Sequence, residues 1–449
     1  MVPIIVIAGI LDTKGRELRY LAEQVKAAGG EPVILELSLS GECGWADIGL
    51  GEVLETTGHS VADVGAVNRS DACKIVGEAA EKKVSALYRE GKLHGMIGYG
   101  GSMGALVASA GMRALPIGVP KLLLTTASVS IRALSDGKDL CLMYAVSEAG
   151  LNRVTKRILG YAAAGIVAMA AAPWPDLSKC KPLIGCMMQG MTTPCVLRAA
   201  RYFEENGYDV IINHATGAGG KSMEEMIAEG QIVGLLDLTT HELATEFFGG
   251  KSWAGPDRLR TAARVGVPQV VAPGGLANMI FAEIDTVPKQ TLDEWKSGLR
   301  GYNRHNISVN SFSLTLEETK VLGRVFVERL GGAKAPAVIL VPLRGWSASD
   351  IAGPNKALGR TLAGPGPFWV ADPGDPERSL RSKDFINAMT EATREFGVNN
   401  ENFEILAVDK HLNEPDFADL AAELLSEMLA GKWRKGRHAG LPYVKQITT

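Results

Sequence analysis

No two cysteines in this chain are spaced CxxC; the six, at 43, 73, 141, 180, 186 and 195, are scattered singly. Zinc ribbons are thereby excluded, no metal is expected, and the thiols read as reduced groups of a cytoplasmic protein. Neither sign of charge is in excess: 47 Lys and Arg stand against 50 Asp and Glu, for a net charge of -3 and a pI near 6.2. No basic block interleaved with aromatics occurs, so nucleic acid is not an expected partner. A charged leader before an apolar segment is missing, because Val2–Ile10 has the pattern of a first strand, and secretion is not expected. Nor does any apolar run reach the roughly 20 residues that cross a bilayer. The longest, Ile158–Ala172, is alanine-rich and expected as a buried helix, with no membrane partner.

What is present is a core-forming chain: 449 residues, 46% hydrophobic and 22% charged, enough for two or three domains. Apolar runs of strand length begin at 2, 31, 94, 120 and 141 and alternate with helical patterns, which predicts a parallel sheet with helices on both faces. A helix over Asn152–Ala172 then ends at Pro173-Trp174-Pro175, a boundary. Beyond it the pattern restarts, with runs at 181, 208, 232, 268, 336, 367 and 402. Helical segments are expected at Pro194–Asn206, Ser222–Glu229, Asp257–Val265 and Asp416–Leu429. The expected class is α/β in two domains, 1–178 and 179–449, each a mainly parallel sheet flanked by helices.

The densest glycine cluster lies between the runs at 94 and 120. Residues 94–98 read as a buried strand, Gly98, Gly100, Gly101 and Gly104 as a tight turn, and 103–113 as a packed helix. Strand, glycine turn and helix together suit an anion, because glycine admits close approach and the first helical turn points free N–H groups and the positive dipole end at it. Ser102 adds a hydroxyl. The competing reading is a turn that only packs the helix against the sheet. NAD is disfavoured, since Met103 breaks the dinucleotide spacing and no acidic residue follows the next strand until Asp136.

Ligands of such sheets gather at the carboxyl ends of the strands. After the first run, LDTKGRE offers Asp12, Thr13 and Lys14 before a helix expected near Gly15; Lys14 suits a phosphate, against an ordinary N-cap by Asp12 or Thr13. Thr125, Thr126 and Ser128 follow the run at 120 and suit a phosphate, a sugar or a helix cap. In the second half HATGAGGKS resembles a P-loop, but Ala215 stands where its first glycine belongs, leaving an anion-binding turn of Thr216, Gly217, Gly219 and Gly220, with Thr192 and Thr193 as further anion donors. Cys195 falls in a first helical turn, where the dipole lowers a thiol pKa, and is a candidate nucleophile weighed against a small core thiol. His214 is an acid/base candidate. Asp237, with Thr239, Thr240, His241 and Glu242, suits a metal or a positioned water, although Thr245 breaks the zincin string and rejects a metalloprotease. Asp257 and Arg258 read as a cap and a surface or interdomain charge. No periodicity is visible around His305-Asn306.

Taken in order, LDTKGRE, GGSMGALVASAGMRALPIGVPK, TTPC, HATGAGG, LDLTTHEL and AGPDRLRTAARVGVPQVV resemble an uncharacterised bacterial and fungal family related to the N-terminal region of the plant inhibitor of tobamovirus RNA replication. The likeness spans nearly the whole chain. It implies two Rossmann-like domains, ATP bound by the first, and homodimers. On matching positions it implies Thr13, Lys14, Gly100, Gly101, Ser102 and Gly104 around the phosphates, completed by Thr125 and Thr126. The plant inhibitor has a further C-terminal barrel-like domain, so antiviral action is not carried over. Three readings follow. The first is an ATP-binding protein, with or without Mg²⁺, whose second domain binds a small anionic metabolite and which extends to an ATP-dependent enzyme. The others are a nucleotide-regulated protein-interaction module and a hydrolase or lyase acting on an organic acid through Cys195 or His214.

Overall fold

The computed structural model describes residues 1–127, 134–173, 179–306, 308–357, 360–362 and 365–447. Ser128, Trp174 and Pro175 lie outside them. The chain divides into two compact units, Met1–Asp176 and Leu177–Thr449.

In the first unit the order is β1 (Ile4–Gly9), α1 (Leu11–Ala27), β2 (Glu31–Glu36), α2 (Leu50–Glu55), α3 (Val61–Ala66), α4 (Arg69–Arg89), β3 (Gly95–Gly100), α5 (Ser102–Arg113), β4 (Lys121–Thr125), β5 (Cys141–Tyr144) and α6 (Arg153–Ala171). The five strands form one parallel sheet in the order β2-β1-β3-β4-β5. Strand alternation divides the core: Ile5 and Ile7 pack with α1 and α6, Val6 and Ala8 with α4 and α5. Both faces are covered, which is why the strands read as continuous apolar runs.

The strand expected over 94–98 runs on to Gly100, because Gly98 is paired with Ala8 and Leu123 inside the sheet. The helix expected to be buried, α6, buries one face only, through Leu159, Ala162, Ala163, Ile166 and Val167. Its opposite face carries Val154, Tyr161 and Met169 exposed. By length and composition alone α6 would cross a membrane, but its inner face belongs to the core of the unit.

The second unit contains β6 (Leu183–Met188), α7 (Thr193–Glu205), β7 (Asp209–His214), α8 (Ala218–Ala228), β8 (Ile232–Asp237), α9 (Glu242–Phe248), α10 (Thr261–Val265), β9 (Gln269–Val271), β10 (Asn278–Phe281), α11 (Lys289–Lys296), β11 (Tyr302–Asn306), β12 (Val309–Ser313), α12 (Leu316–Leu330) and β13 (Ala337–Pro342). Two small hairpins, β14-β15 (Asn355–Ala357, Arg360–Leu362) and β16-β17 (Ala371–Asp372, Asp375–Ser379), precede α13 (Leu380–Glu395), β18 (Phe403–Val408), α14 (Pro415–Leu429) and β19 (Val444–Gln446). The main sheet is ordered β19-β18-β13-β9-β8-β6-β7, parallel except for β19 at its edge. Both units are therefore α/β, each with a mainly parallel sheet flanked by helices, and both start with their second strand outside the first and their third on its other side.

The apolar run at 367 enters only the two-residue β16, not the main sheet. An antiparallel sheet, β10-β12-β11, was not expected. Its strands YNRHN and VNSFS are polar, and Asn310 is buried because Tyr302 Oη donates to its Oδ1 at 2.8 Å. The helix expected over Asp257–Val265 begins at Thr261, since Leu259 takes φ +66°, a value no helix accommodates.

Candidate functional site

The strand order of the first sheet reverses between β1 and β3, whose ends Gly9 and Tyr99 are in register. In doubly wound sheets ligands bind outside the carboxyl ends of the strands at such a reversal. Four loops deliver side chains to it. After β1, helix α1 starts directly at Leu11 without a side-chain cap, and its backbone breaks at Lys14, at φ -125° and ψ 15°. Lys14 is buried, and its ammonium donates to the carbonyl of Glu148 and stands 3.4 Å from Glu148 Oε1. After β4, Thr126 donates from Oγ1 to Glu148 Oε2. After β3 comes Gly101, where a Cβ would lie 2.6 Å from Glu148 Oε1.

The site is thus built around a carboxylate, Glu148, which is not among the residues expected from the sequence although it directly follows the fifth apolar run. The hydrogen bond from Thr126 and then the Lys14 ammonium hold its pKa below the usual carboxylate range. Its side chain remains 67% exposed. The loop that carries it is tied down by the Gly150 amide, which donates to Glu17 Oε1 at 2.7 Å, and it contains Val146 at φ +63°. A β-branched residue is rarely found there and stores strain. Tyr99 is buried at the end of β3, and burial, with Glu17 and Glu148 nearby, pushes its phenol up to about 12.

Among the expected phosphate donors the glycines separate by role. A Cβ on Gly98 would meet Ala108 Cβ at 2.7 Å, and one on Gly100 would meet Gly104 Cα at 2.9 Å. Gly98, Gly100 and Gly104 therefore seat α5 on the sheet, and Gly101 alone faces the anionic group. Ser102 is exposed at the first residue of α5. Thr13 is exposed and turns its hydroxyl back to the Ile10 carbonyl at 3.3 Å, while Thr125 is buried and accepts from the Ala127 amide at 3.0 Å. Lys14, Gly101 and Thr126 are brought together; Thr13 and Thr125 serve their own loops.

In the second unit the corresponding reversal lies between β6 and β8. Here too a carboxylate occupies the glycine turn: Glu242 Oε1 accepts from the amides of Gly217, at 2.6 Å, and Gly220, at 3.1 Å. The amides of Gly217 and Gly220, two of the expected anion donors, are consequently already satisfied inside the protein. Arg258, expected at the surface, is 1% exposed and is the centre of the network. It donates through Nε to Glu242 at 2.6 Å, through Nη2 to Asp237 at 2.8 Å, and lies 3.5 Å from Glu224. Burial works against its charge, but Asp237, Glu242 and Glu224 together hold it ionised. Burial in turn raises Glu242 to about 6, against the pull of Arg258.

Thr192 is buried, with its hydroxyl 2.8 Å from that of Thr239, and Thr193 donates to the Gln189 carbonyl at 3.1 Å. Thr216 stays beside His214, Oγ1 to Nδ1 3.2 Å, and Gly219 lies where a Cβ would overlap the His214 carbonyl. Cys195 does sit in the first turn of α7, but it is 1% exposed and burial pushes its thiol far above the ordinary value, the reverse of the expected lowering. Desolvation outweighs the helix dipole. Asp237 is locked onto Arg258. Beside them His241 Nδ1 meets the Gly275 carbonyl at 2.9 Å, and burial lowers its pKa to about 4.

Two family models match the chain: the N-terminal domain of the uncharacterised protein family UPF0261 over residues 3–175, and the C-terminal domain of the same family over 181–358. A UPF0261 protein of Clostridium tetani is 35% identical over 429 residues, covering 95% of this chain and 98% of its own length. One of Rhizobium meliloti is 34% identical, covering 93% and 97%. The ToMV susceptible protein tm-1(GCR26) of Solanum lycopersicum is 28% identical over 94% of this chain, which spans 55% of that longer protein.

Proposed function

This chain belongs to the uncharacterised UPF0261 family, a membership that assigns no reaction, and we propose that its first unit binds the phosphates of a nucleotide, ATP with or without Mg²⁺, in the seat now taken by the Glu148 carboxylate. One observation carries the proposal. A buried ammonium, a hydroxyl and a bare glycine at a helix start converge on one negatively charged group at the strand-order reversal of a parallel sheet. An incoming phosphate offers the same charge and more acceptors. Glu148 is an exposed arm of its loop, so its displacement exposes little buried surface. The nucleotide, as opposed to a free anion, follows from the family resemblance.

The test is a thermal-shift titration of the full chain with ATP and Mg²⁺. At a hundredfold excess over the dissociation constant, ligand stabilises by about 2.7 kcal/mol, a readily measured rise in Tm. Lys14→Met is expected to abolish the rise, and Glu148→Gln, which removes the competing charge, to move the midpoint to lower ATP. No rise at millimolar ATP, or a rise indifferent to Lys14→Met, overturns the proposal.

A regulatory role for the nucleotide, in place of turnover, is the second reading. It is supported by the burial of Cys195 and by the hydrogen bonding of Asp237 to Arg258. Self-association belongs to the same proposal: the outward face of α6 bears Val154, Tyr161 and Met169, apolar groups that a second copy would cover. Light scattering is expected to return the mass of two chains, and to return that of one for Tyr161→Glu; a single-chain mass for the unaltered protein removes this part.

A further inference from the structure

The C-terminal end of the second unit carries a cluster that no expectation from the sequence included. Helix α14 places Glu423 and Glu427 four residues apart, on one face of the helix. Their carboxylates sit near the negative end of the helix dipole, and no basic residue occupies the last turn. The chain then folds back, as the amides of Lys432 and Trp433 donate to the Glu427 carbonyl at 2.8 and 3.1 Å. A one-turn helix at Arg437–Gly440 follows, entered through Gly436 at φ +83°, whose amide is fixed by Glu404 Oε1 at 2.7 Å. This turn delivers His438.

His438 is 6% exposed, and its Nδ1 has no hydrogen-bond partner. Its Nε2 stands 3.7 Å from Glu427 Oε2, a carboxylate oxygen that is itself buried without a partner. Arg437 approaches the other oxygen, Oε1, at 3.2 Å and leaves Oε2 facing the imidazole. One ligand atom each from Glu423, Glu427 and His438 lie within 4.8 Å of one another. A buried polar atom left without a partner costs about 1–3 kcal/mol, and Glu427 Oε2, which faces the imidazole Nε2 beyond hydrogen-bond distance, calls for one.

We infer that Glu423, Glu427 and His438 bind one divalent transition-metal ion, zinc or an ion of similar chemistry, with water completing the coordination. Zinc takes imidazole nitrogen and carboxylate oxygen at about 2.0–2.2 Å, which sets tetrahedral ligands about 3.4 Å apart. The 3.7 Å between His438 and Glu427 already approaches that spacing, and the exposed Glu423 is free to close the remainder. Two carboxylates and one neutral imidazole balance the double charge of the ion. The imidazole selects against calcium and magnesium, which prefer all-oxygen sets. The bound ion would clasp the turn at Arg437–Gly440 to the end of α14.

The test is calorimetric titration of the chelator-treated full chain with Zn²⁺, with Co²⁺ as a spectroscopic probe. One saturable site is expected, with the visible bands of a tetrahedral Co²⁺ centre, and unmoved by millimolar Ca²⁺. Glu423→Gln, on an exposed position that the fold does not need, and His438→Ala are each expected to weaken that site by about tenfold or more. Absence of a saturable site, or a site unchanged in Glu423→Gln, overturns the inference. If His438→Ala fails to fold, Glu423→Gln and the Co²⁺ spectrum decide it.

Discussion

Arg258 holds three carboxylates that the chain supplies from positions 224, 237 and 242, and all four side chains are at most 7% exposed. Removing one member of such a network leaves the others as uncompensated buried charges. Arg258→Met is therefore expected to destabilise the second unit by about 3–5 kcal/mol, read as a lower midpoint in urea unfolding. A loss under about 1 kcal/mol would mean that the network is not what holds the glycine turn to α9. Nothing in the local sequence announces this. Asp257-Arg258 follows a proline and precedes a helix, the setting of a surface cap, and only the fold brings Glu224 and Asp237 to it. Lys14 was legible, because a lysine after a first strand has a short menu of uses. Glu148 was not, since its meaning depends on Gly101 and Thr126 arriving from two other loops.

Strand β3 and helix α5 show how a glycine cluster mixes two jobs. Gly98→Ala would set a methyl 2.7 Å from Ala108 Cβ and 3.0 Å from Leu123, atoms of a packed core that cannot withdraw. A loss of about 1–3 kcal/mol is expected. Gly101→Ala meets only the end of the flexible Glu148 side chain, so its cost should stay within about 0.5 kcal/mol. Thermal melts of the two variants check the contrast, and equal losses would refute the division of roles. Legibility at this scale follows periodicity: the strands of both parallel sheets, β19 apart, begin within two residues of their expected runs, and the helices α6, α7 and α14 stand within a residue of their expected limits. It was silent on β11 and β12, whose polar residues are stabilised by partners far along the chain.

Acid acts on the whole second unit through groups with opposite shifts. His241, lowered to about 4, contributes stability that is present above its ordinary value of 6.5 and is lost as pH falls through 4. Glu242 and Asp350, the latter fully buried with its Oδ2 accepting from the Trp346 amide at 3.0 Å, are both raised to about 6 by burial and contribute stability that is present below their ordinary 4.5 and 3.8 and is lost as pH rises through 6. Between pH 7 and 5 the two effects, each about 1–2 kcal/mol, offset one another. Tm is expected to change little over that interval in the unaltered protein and to drop on acidification in Asp350→Asn, which forfeits one compensating group. A variant with the same flat profile would contradict this.

Both units fold by one plan and both lay an acidic residue across a glycine bend, but one residue waits in solvent and the other is entombed beneath a guanidinium. Repetition of architecture is accordingly not repetition of vacancy. A guest arriving at either door finds the first held by a latch and the second bricked shut, so the stoichiometry of nucleotide to polypeptide should be one, never two.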